Sequence, residues 1–294
     1  MPSTPNFGWP TPEDTAQVAN GPAIIRALGD AADATVFAQG TAVTALDGRV
    51  SAVEGDVTDL QAGFRFAGTV YFTSSGPFVK ADPLGTGDIG LRAIRVTVVG
   101  GGGGGGGVGS TAGGNASAAN GGNGGGAAVA FVTDIAGLAS SVTVTIGGGG
   151  AGAVAGASTG DGGGESSFGS LCVATGGGGG RTGVIATFAR QNARNAEPLG
   201  VGTAGDLLLT GSAGFTGFIV GLGARAQLGG NGAAAALLGG NSVSGGNPFA
   251  DAVENGSAAV SVGSGGSGAA ANNTATTGNG GAGANGIVII DCFV

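Results

Sequence analysis

Residues 91–107 read LRAIRVTVVGGGGGGGG. The first nine end in alternating and β-branched apolar residues, the pattern of a buried strand. The next eight, Gly100–Gly107, carry no side chain beyond hydrogen. The same abrupt junction recurs downstream. Residues 121–126 (GGNGGG) precede AAVAFVT at 127–133; VTVTI at 142–146 runs into glycines 147–150; SFGSLCVAT at 167–175 runs into glycines 176–180. Strands are expected at these places, at 67–74 (AGTVYFTS) and at 286–293 (GIVIIDCF), with weaker ones at 206–210 and 217–220. Residues 63–294 therefore read as a distal β-framework holding long glycine-rich excursions.

Those excursions leave two arrangements open. Glycine loses more conformational entropy on folding than any other residue, so flexible loops on a β-sandwich are one. The other is a bundle of polyglycine II helices, extended with three residues per turn. Without Cβ atoms such segments can lie side by side and bond their N–H and C=O groups laterally, so every buried backbone group finds a partner.

Glycine fills 71 of 294 positions, far above the usual ~7%. Disorder normally accompanies low hydrophobicity and many charges. Here charged residues are 10%, hydrophobic ones 41% and mean hydropathy is +0.34, so an ordered chain is expected. Histidine is absent and Lys80 is the sole lysine. That excludes His-dependent nucleophile systems, His metal ligands and P-loop chemistry. A net charge of −8, with scattered basic residues, argues against nucleic acid, whose affinity rests on Lys and Arg. Cys172 and Cys292 are too few for a disulfide framework and read as buried apolar residues in strands. No apolar run reaches membrane-spanning length, and the N-terminus lacks the pattern of a secretory signal.

The N-terminal 22 residues hold five of nine prolines and the only tryptophan, Trp9. They read as an extended arm. Thr11-Pro12-Glu13-Asp14 suits a helix start, and Asn20-Gly21-Pro22 a break before a second helix. Residues 43–60 carry the clearest periodicity. Val43, Leu46, Val50, Val53, Val57 and Leu60 are spaced 3, 4, 3, 4, 3, the a/d seam of a parallel coiled coil. Gly48 and Gly55 fall at the outward f position, and Arg49 and Glu54 at g and e are spaced for an interchain ion pair. The seam does not distinguish two chains from three.

No motif adds catalytic chemistry. Gly100-x-Gly102-x-x-Gly105 follows a strand, yet a dinucleotide site needs a helix directly after it and an acid about 20 residues on. Here glycines follow, with no acid before Asp134. Paired carboxylates, Asp161 with Glu165 and Asp251 with Glu254, read as turn and solubility residues, and no loop gathers enough acids for calcium. No enzymatic activity, cofactor or metal is expected. Recognition falls to neutral surface: Asn115, Asn120, Asn123, Asn231, Asn241, Asn247, Asn272 and Asn273 in the glycine tracts, and Phe215, Phe218 and Phe249 outside the clear strands.

The chain carries two resemblances to known proteins. FGWPTPEDTAQVANGPAIIRALGDAADA is similar to the opening of minor tail proteins and tail fibres of bacteriophages infecting actinobacteria. Residues 69–107, GGGESSFGSLCVATGGGGG and the terminal GANGIVIIDCFV resemble the glycine-rich domain at phage fibre tips, where polyglycine helices and host-surface binding are associated with it. PLGTGDIGLRA departs from the plainer Pro-Ala-Gly turn of that family. The resemblance implies a mainly β homotrimeric fibre with short N-terminal helices and a parallel coiled coil. Residues 1–22 would be a virion-attachment arm (Phe7, Trp9 and Pro10 meeting tail or baseplate proteins), 23–62 a helical stalk, and 63–294 the distal domain. It would act in the virion as a receptor-binding adhesin for a bacterial surface glycan or protein; from the neutral surface of the glycine tracts, Asn231, Asn241, Asn247 and Phe249 are the expected binding residues. The alternative is a purely structural collar, whisker or capsid fibre. Neither nucleic acid nor membrane insertion is implied.

Overall fold

The computed structural model describes residues 21–62, 65–154, 156–187, 189–192, 197–220, 226–238, 245 and 251–294. The chain divides into two compact units, Met1–Gly63 and Phe64–Val294. The described part of the first is one helix, α1 (Gly21–Ala62), of 42 residues, about 63 Å long at 1.5 Å per residue. The sequence predicts short helices followed by a separate seam; the structure joins them. No proline falls between Ala23 and Ala62, and Gly29 and Gly40 cost about 1 kcal/mol each in propensity without ending the hydrogen-bond ladder. The expected helix from Pro12 lies outside the described residues.

The second unit is mainly antiparallel β. Its strands are β1 (Phe66–Phe72), β2 (Gly76–Val79), β3 (Ala93–Val99), β4 (Ala116–Ala118), β5 (Ala127–Val132), β6 (Ser141–Thr145), β7 (Ser166–Phe168) and β8 (Cys172–Ala174), followed by β9 (Arg190–Gln191), β10 (Gly202–Ala204), β11 (Leu207–Leu209), β12 (Phe218–Val220), β13 (Ala226–Leu228), β14 (Ala252–Glu254), β15 (Ala270–Asn272) and β16 (Ile287–Phe293). Two five-stranded sheets, β1-β16-β3-β5-β11 and β10-β8-β7-β6-β2, face each other across the main core. Ile94, Val96, Val98, Val288 and Ile290 come from the first, and Phe78, Val142, Val144 and Phe168 from the second. Phe78 meets Phe168 edge to face at 5.5 Å. β16 lies centrally, Ile290 pairing with Val70 on one side and Val96 on the other.

The strand expected over 167–175 is a hairpin of β7 and β8, turning at Gly169 with φ of +52°. Ser166, Phe168, Cys172 and Ala174 all face inward, so the alternation runs through the turn unbroken and imitates one strand.

Beyond the sandwich the described glycine tracts form an ordered, backbone-bonded bundle in place of loose surface loops. The segment 100–108 shows the rule. Gly100, Gly103 and Gly106 donate to Gly126, Asn123 and Asn120; Gly101, Gly104 and Gly107 donate to Gly164, Asp161 and Ser158; Gly102, Gly105 and Val108 donate to Ala284, Gly281 and Gly278. Each neighbour runs antiparallel and is met every third residue, the period of a threefold extended helix. Three parallel segments donate back: Gly177, Gly180 and Gly183 to Gly101, Gly104 and Gly107; Gly150 and Ala153 to Gly102 and Gly105; Gly266 and Ala269 to Gly103 and Gly106. Each N–H from Gly101 to Val108, and each C=O, is thereby paired, at N···O distances of 2.7–3.1 Å.

Close approach sets the need for glycine in this segment. None of Gly100–Gly107 has a positive φ. A Cβ on Gly102, Gly104 or Gly105 would overlap the carbonyl of Ser264, Ala151 or Ser267. At the end of the bundle reached by segment 100–108 lie two three-stranded sheets, β14-β15-β4 and β13-β12-β9. Ala116, Ala118, Ala186, Ile219 and Ala270 make a small core among them.

Candidate functional site

Two surfaces carry the residues that the sequence singles out. On α1, Val43, Leu46, Val50 and Val53 project an apolar stripe, 66%, 58%, 45% and 59% exposed. A stripe this exposed leaves the hydrophobic driving force of each side chain, about 1.5–3 kcal/mol on full burial, unused by the single chain. The side chains of Val57 and Leu60 lie outside the described residues, as do Phe7, Trp9 and Pro10.

Of the proposed binding residues, Asn241, Asn247 and Phe249 also lie outside the described residues, whereas Asn231 is half-buried in the bundle. Its carbonyl accepts from Phe215 N–H at 3.0 Å and its side-chain Oδ1 accepts from Gly245 N–H at 2.9 Å. The expectation of a recognition role fails for three other asparagines. Asn120 and Asn123 are fully buried and Asn272 nearly so. Asn123 Oδ1 accepts from Gly214 N–H at 2.9 Å, and its Nδ2 donates to the carbonyls of Glu197 and Pro198 at 2.8 and 3.1 Å. Asn120 Oδ1 accepts from Gly217 N–H at 3.0 Å. A side-chain amide mimics a peptide group, so Asn120 and Asn123 each let one bundle segment fasten a further stretch of backbone.

The stretch so fastened is 211–217, whose backbone alternates in threes. Gly211, Gly214 and Gly217 are buried, while Ser212, Phe215 and Phe218 lie one step along and face out. Phe215 is held on both sides, its N–H on Asn231 and its C=O accepting from Gly121 N–H, both at 3.0 Å, yet its side chain is 65% exposed. Phe215 and Thr216 form the shared wall of two clefts. One, of about 280 Å³, continues to Phe218, Leu228 and Asn231. The other, of about 360 Å³, continues to Gln191, Asn192 and Ala213. Gln191 Nε2 donates to Thr216 Oγ1 at 2.7 Å. The sequence offered a signal for this face, the spacing of Gly211, Gly214 and Gly217 by threes, but Gln191 and Thr216 carry no pattern of their own.

Asp161, Glu165, Asp251 and Glu254 are all exposed. Among the described residues no group of His, Cys, Asp and Glu is placed to hold a metal, and no helix is long and apolar enough to cross a membrane. Asp291, on β16, accepts from Arg95 Nε at 2.9 Å and Thr69 Oγ1 at 2.6 Å, tying β3, β16 and β1 together across the sheet's outer face. Cys172 and Cys292 are free thiols within the main core. Burial pushes Cys172 up to about 12 and Cys292 to about 11, with Asp206 and Asp291 respectively adding to the shift. Both are therefore protonated and poorly nucleophilic at neutral pH.

Fold and surface together define a glycine-rich, mainly β domain whose described glycine segments are joined laterally by backbone hydrogen bonds. The glycine-rich domain family matches residues 84–293, and the chain belongs to that family. Comparison with curated proteins finds no match.

Proposed function

We propose that the chain is a bacteriophage tail fibre that binds the host surface. It self-associates through α1 into a homotrimer, docks on tail or baseplate proteins through Phe7, Trp9 and Pro10, and presents the glycine-rich domain to a bacterial receptor. It is a virion component with no catalytic role. The observation that carries the reading is the uncovered stripe Val43-Leu46-Val50-Val53 on a 42-residue helix, joined in one chain to a domain of the glycine-rich family. Such a helix needs partners to bury its seam, and a second copy supplies an identical one. Several copies then give several binding sites, and weak contacts add through effective concentration.

The test is adsorption. Purified full-length protein is expected to bind cells of a phage-susceptible actinobacterium and to compete with phage for them. Absence of binding, with unchanged adsorption of phage lacking residues 63–294, would favour the alternative of a structural collar, whisker or capsid fibre.

A further inference from the structure

The clefts flanking Phe215 have a chemistry that selects a ligand class. We infer that this face is a binding subsite for a neutral carbohydrate, with the Phe215 ring as the platform for a sugar ring. The inference rests on the host-binding reading and gives it a place and a substrate class.

Four observations lead there. First, Phe215 is 65% exposed on backbone fixed at both its N–H and its C=O, with buried Asn123 and Asn120 fastening Gly214 and Gly217 on either side. An aromatic ring held out on fixed backbone does not contribute to the core, and it is preorganised for a partner, which reduces the entropy lost on binding. Second, the described residues lining both clefts include no charged side chain. In a chain of net charge −8, such neutral lining selects against phosphate, acidic or basic ligands. Third, polar groups stand beside the ring. Thr216 Oγ1 accepts from Gln191 Nε2, which leaves the hydroxyl proton and Gln191 Oε1 to meet a ligand's hydroxyls. Asn231, whose Oδ1 accepts from Gly245 N–H, lines the other cleft with an amide of the same kind. Fourth, the clefts measure about 280 and 360 Å³, at the low end for small-molecule sites. They suit single rings against the wall that Phe215 and Thr216 share, whereas a helix or a folded protein would not enter them. A sugar ring offers what this surface lacks: an apolar C–H face for the phenyl and hydroxyls around its rim for amide and hydroxyl groups.

The inference is tested on the full-length chain by saturation-transfer NMR with millimolar methyl α-mannopyranoside, methyl β-galactopyranoside and methyl N-acetyl-β-glucosaminide. Transfer to the ring C–H protons of at least one glycoside is expected. Phe215→Ala should weaken it at least tenfold, Gln191→Ala more modestly, and Phe215→Trp should retain it, all with unchanged thermal midpoints because these side chains are exposed. No transfer to any glycoside, or equal transfer in Phe215→Ala, overturns the subsite. Adsorption to actinobacterial cells is measured in parallel. Adsorption without glycoside transfer overturns the subsite and leaves host binding standing. Transfer lost in Phe215→Ala, with no adsorption to any cell, supports the subsite and removes the host-binding reading.

Discussion

At Gly104 a methyl group would overlap the carbonyl of Ala151, whereas at Gly148 it would meet nothing within 4 Å. Gly104→Ala is therefore expected to destabilise the full-length protein by about 3 kcal/mol or more, since the obstruction is backbone that is itself bonded and cannot step aside. Gly148→Ala should be neutral or stabilise by up to about 1 kcal/mol through the unfolded chain. Denaturant midpoints of the two variants check this, and equal effects would contradict the close-packed bundle. The buried thiols make a prediction of opposite origin. Their ionised form is disfavoured in the folded state, from a starting value of 9.0 up to about 12 and 11. Stability present at neutral pH is thus lost as pH rises above 9, where the unfolded chain releases protons that the folded chain retains. Urea midpoints at pH 7 and pH 10.5 should fall, and fall less in a Cys172→Ala/Cys292→Ala double variant. What the residues disclosed beforehand was uneven. Phe215 stood out because it lies outside the clear strands, whereas Asn120 and Asn123 resembled surface polar residues. Their burial depends on Gly214 and Gly217, more than 90 positions away, and no local pattern encodes that.

The long helix and the short strands were read with unequal success for one reason, the reach of the signal. In α1 the apolar stripe and the helix share one local periodicity, so the exposed run Val43, Leu46, Val50 and Val53 could be identified from spacing alone. The break expected at Asn20-Gly21-Pro22 falls at the start of α1, and within it Gly29 and Gly40 are open positions where a Cβ would meet nothing. Replacing Leu46 with Asp puts a charge in the exposed stripe and is expected to lower the proposed trimer to monomer in sedimentation at micromolar concentration. Gly48→Ala with Gly55→Ala, both outward and uncrowded, should leave the assembly state unchanged and stabilise the helix by about 1 kcal/mol per site. Among the strands, β3, β5 and β16 announce themselves by β-branched runs. Three-residue strands such as β4 and β15, written ASA and AAN, carry no propensity. They form because the glycine segments deliver them side by side.

At the scale of the whole distal unit, the bundle makes hydrogen bonding do what side-chain packing does in the sandwich. Amides of Gly100–Val108 sit in the middle of paired segments. Their exchange is expected to be slowed by a factor above about 10⁴, on the scale of global opening; loops would exchange within seconds. Hydrogen-exchange mass spectrometry of the intact chain reads this directly. The sequence could show that these tracts are glycine. It could not show which tract lies against which, since each glycine is identical to the next and neighbours are assigned by where the strands send them.

The ladder between β1 and β16 has a mechanical meaning. β1 is the first strand after the helical unit, and Arg65 and Val294 exchange two backbone hydrogen bonds of 2.9 Å. Tension arriving from the N-terminal side is therefore taken up along β1, antiparallel to the chain's last strand. The bonds from Thr69–Asp291 to Phe72–Val288 are then loaded together in shear, across the direction of pull. The lateral bonds of the bundle likewise lie across its axis. A domain built this way yields to force by rupturing many bonds at once, and for the tail fibre proposed above that is the stronger way to fail.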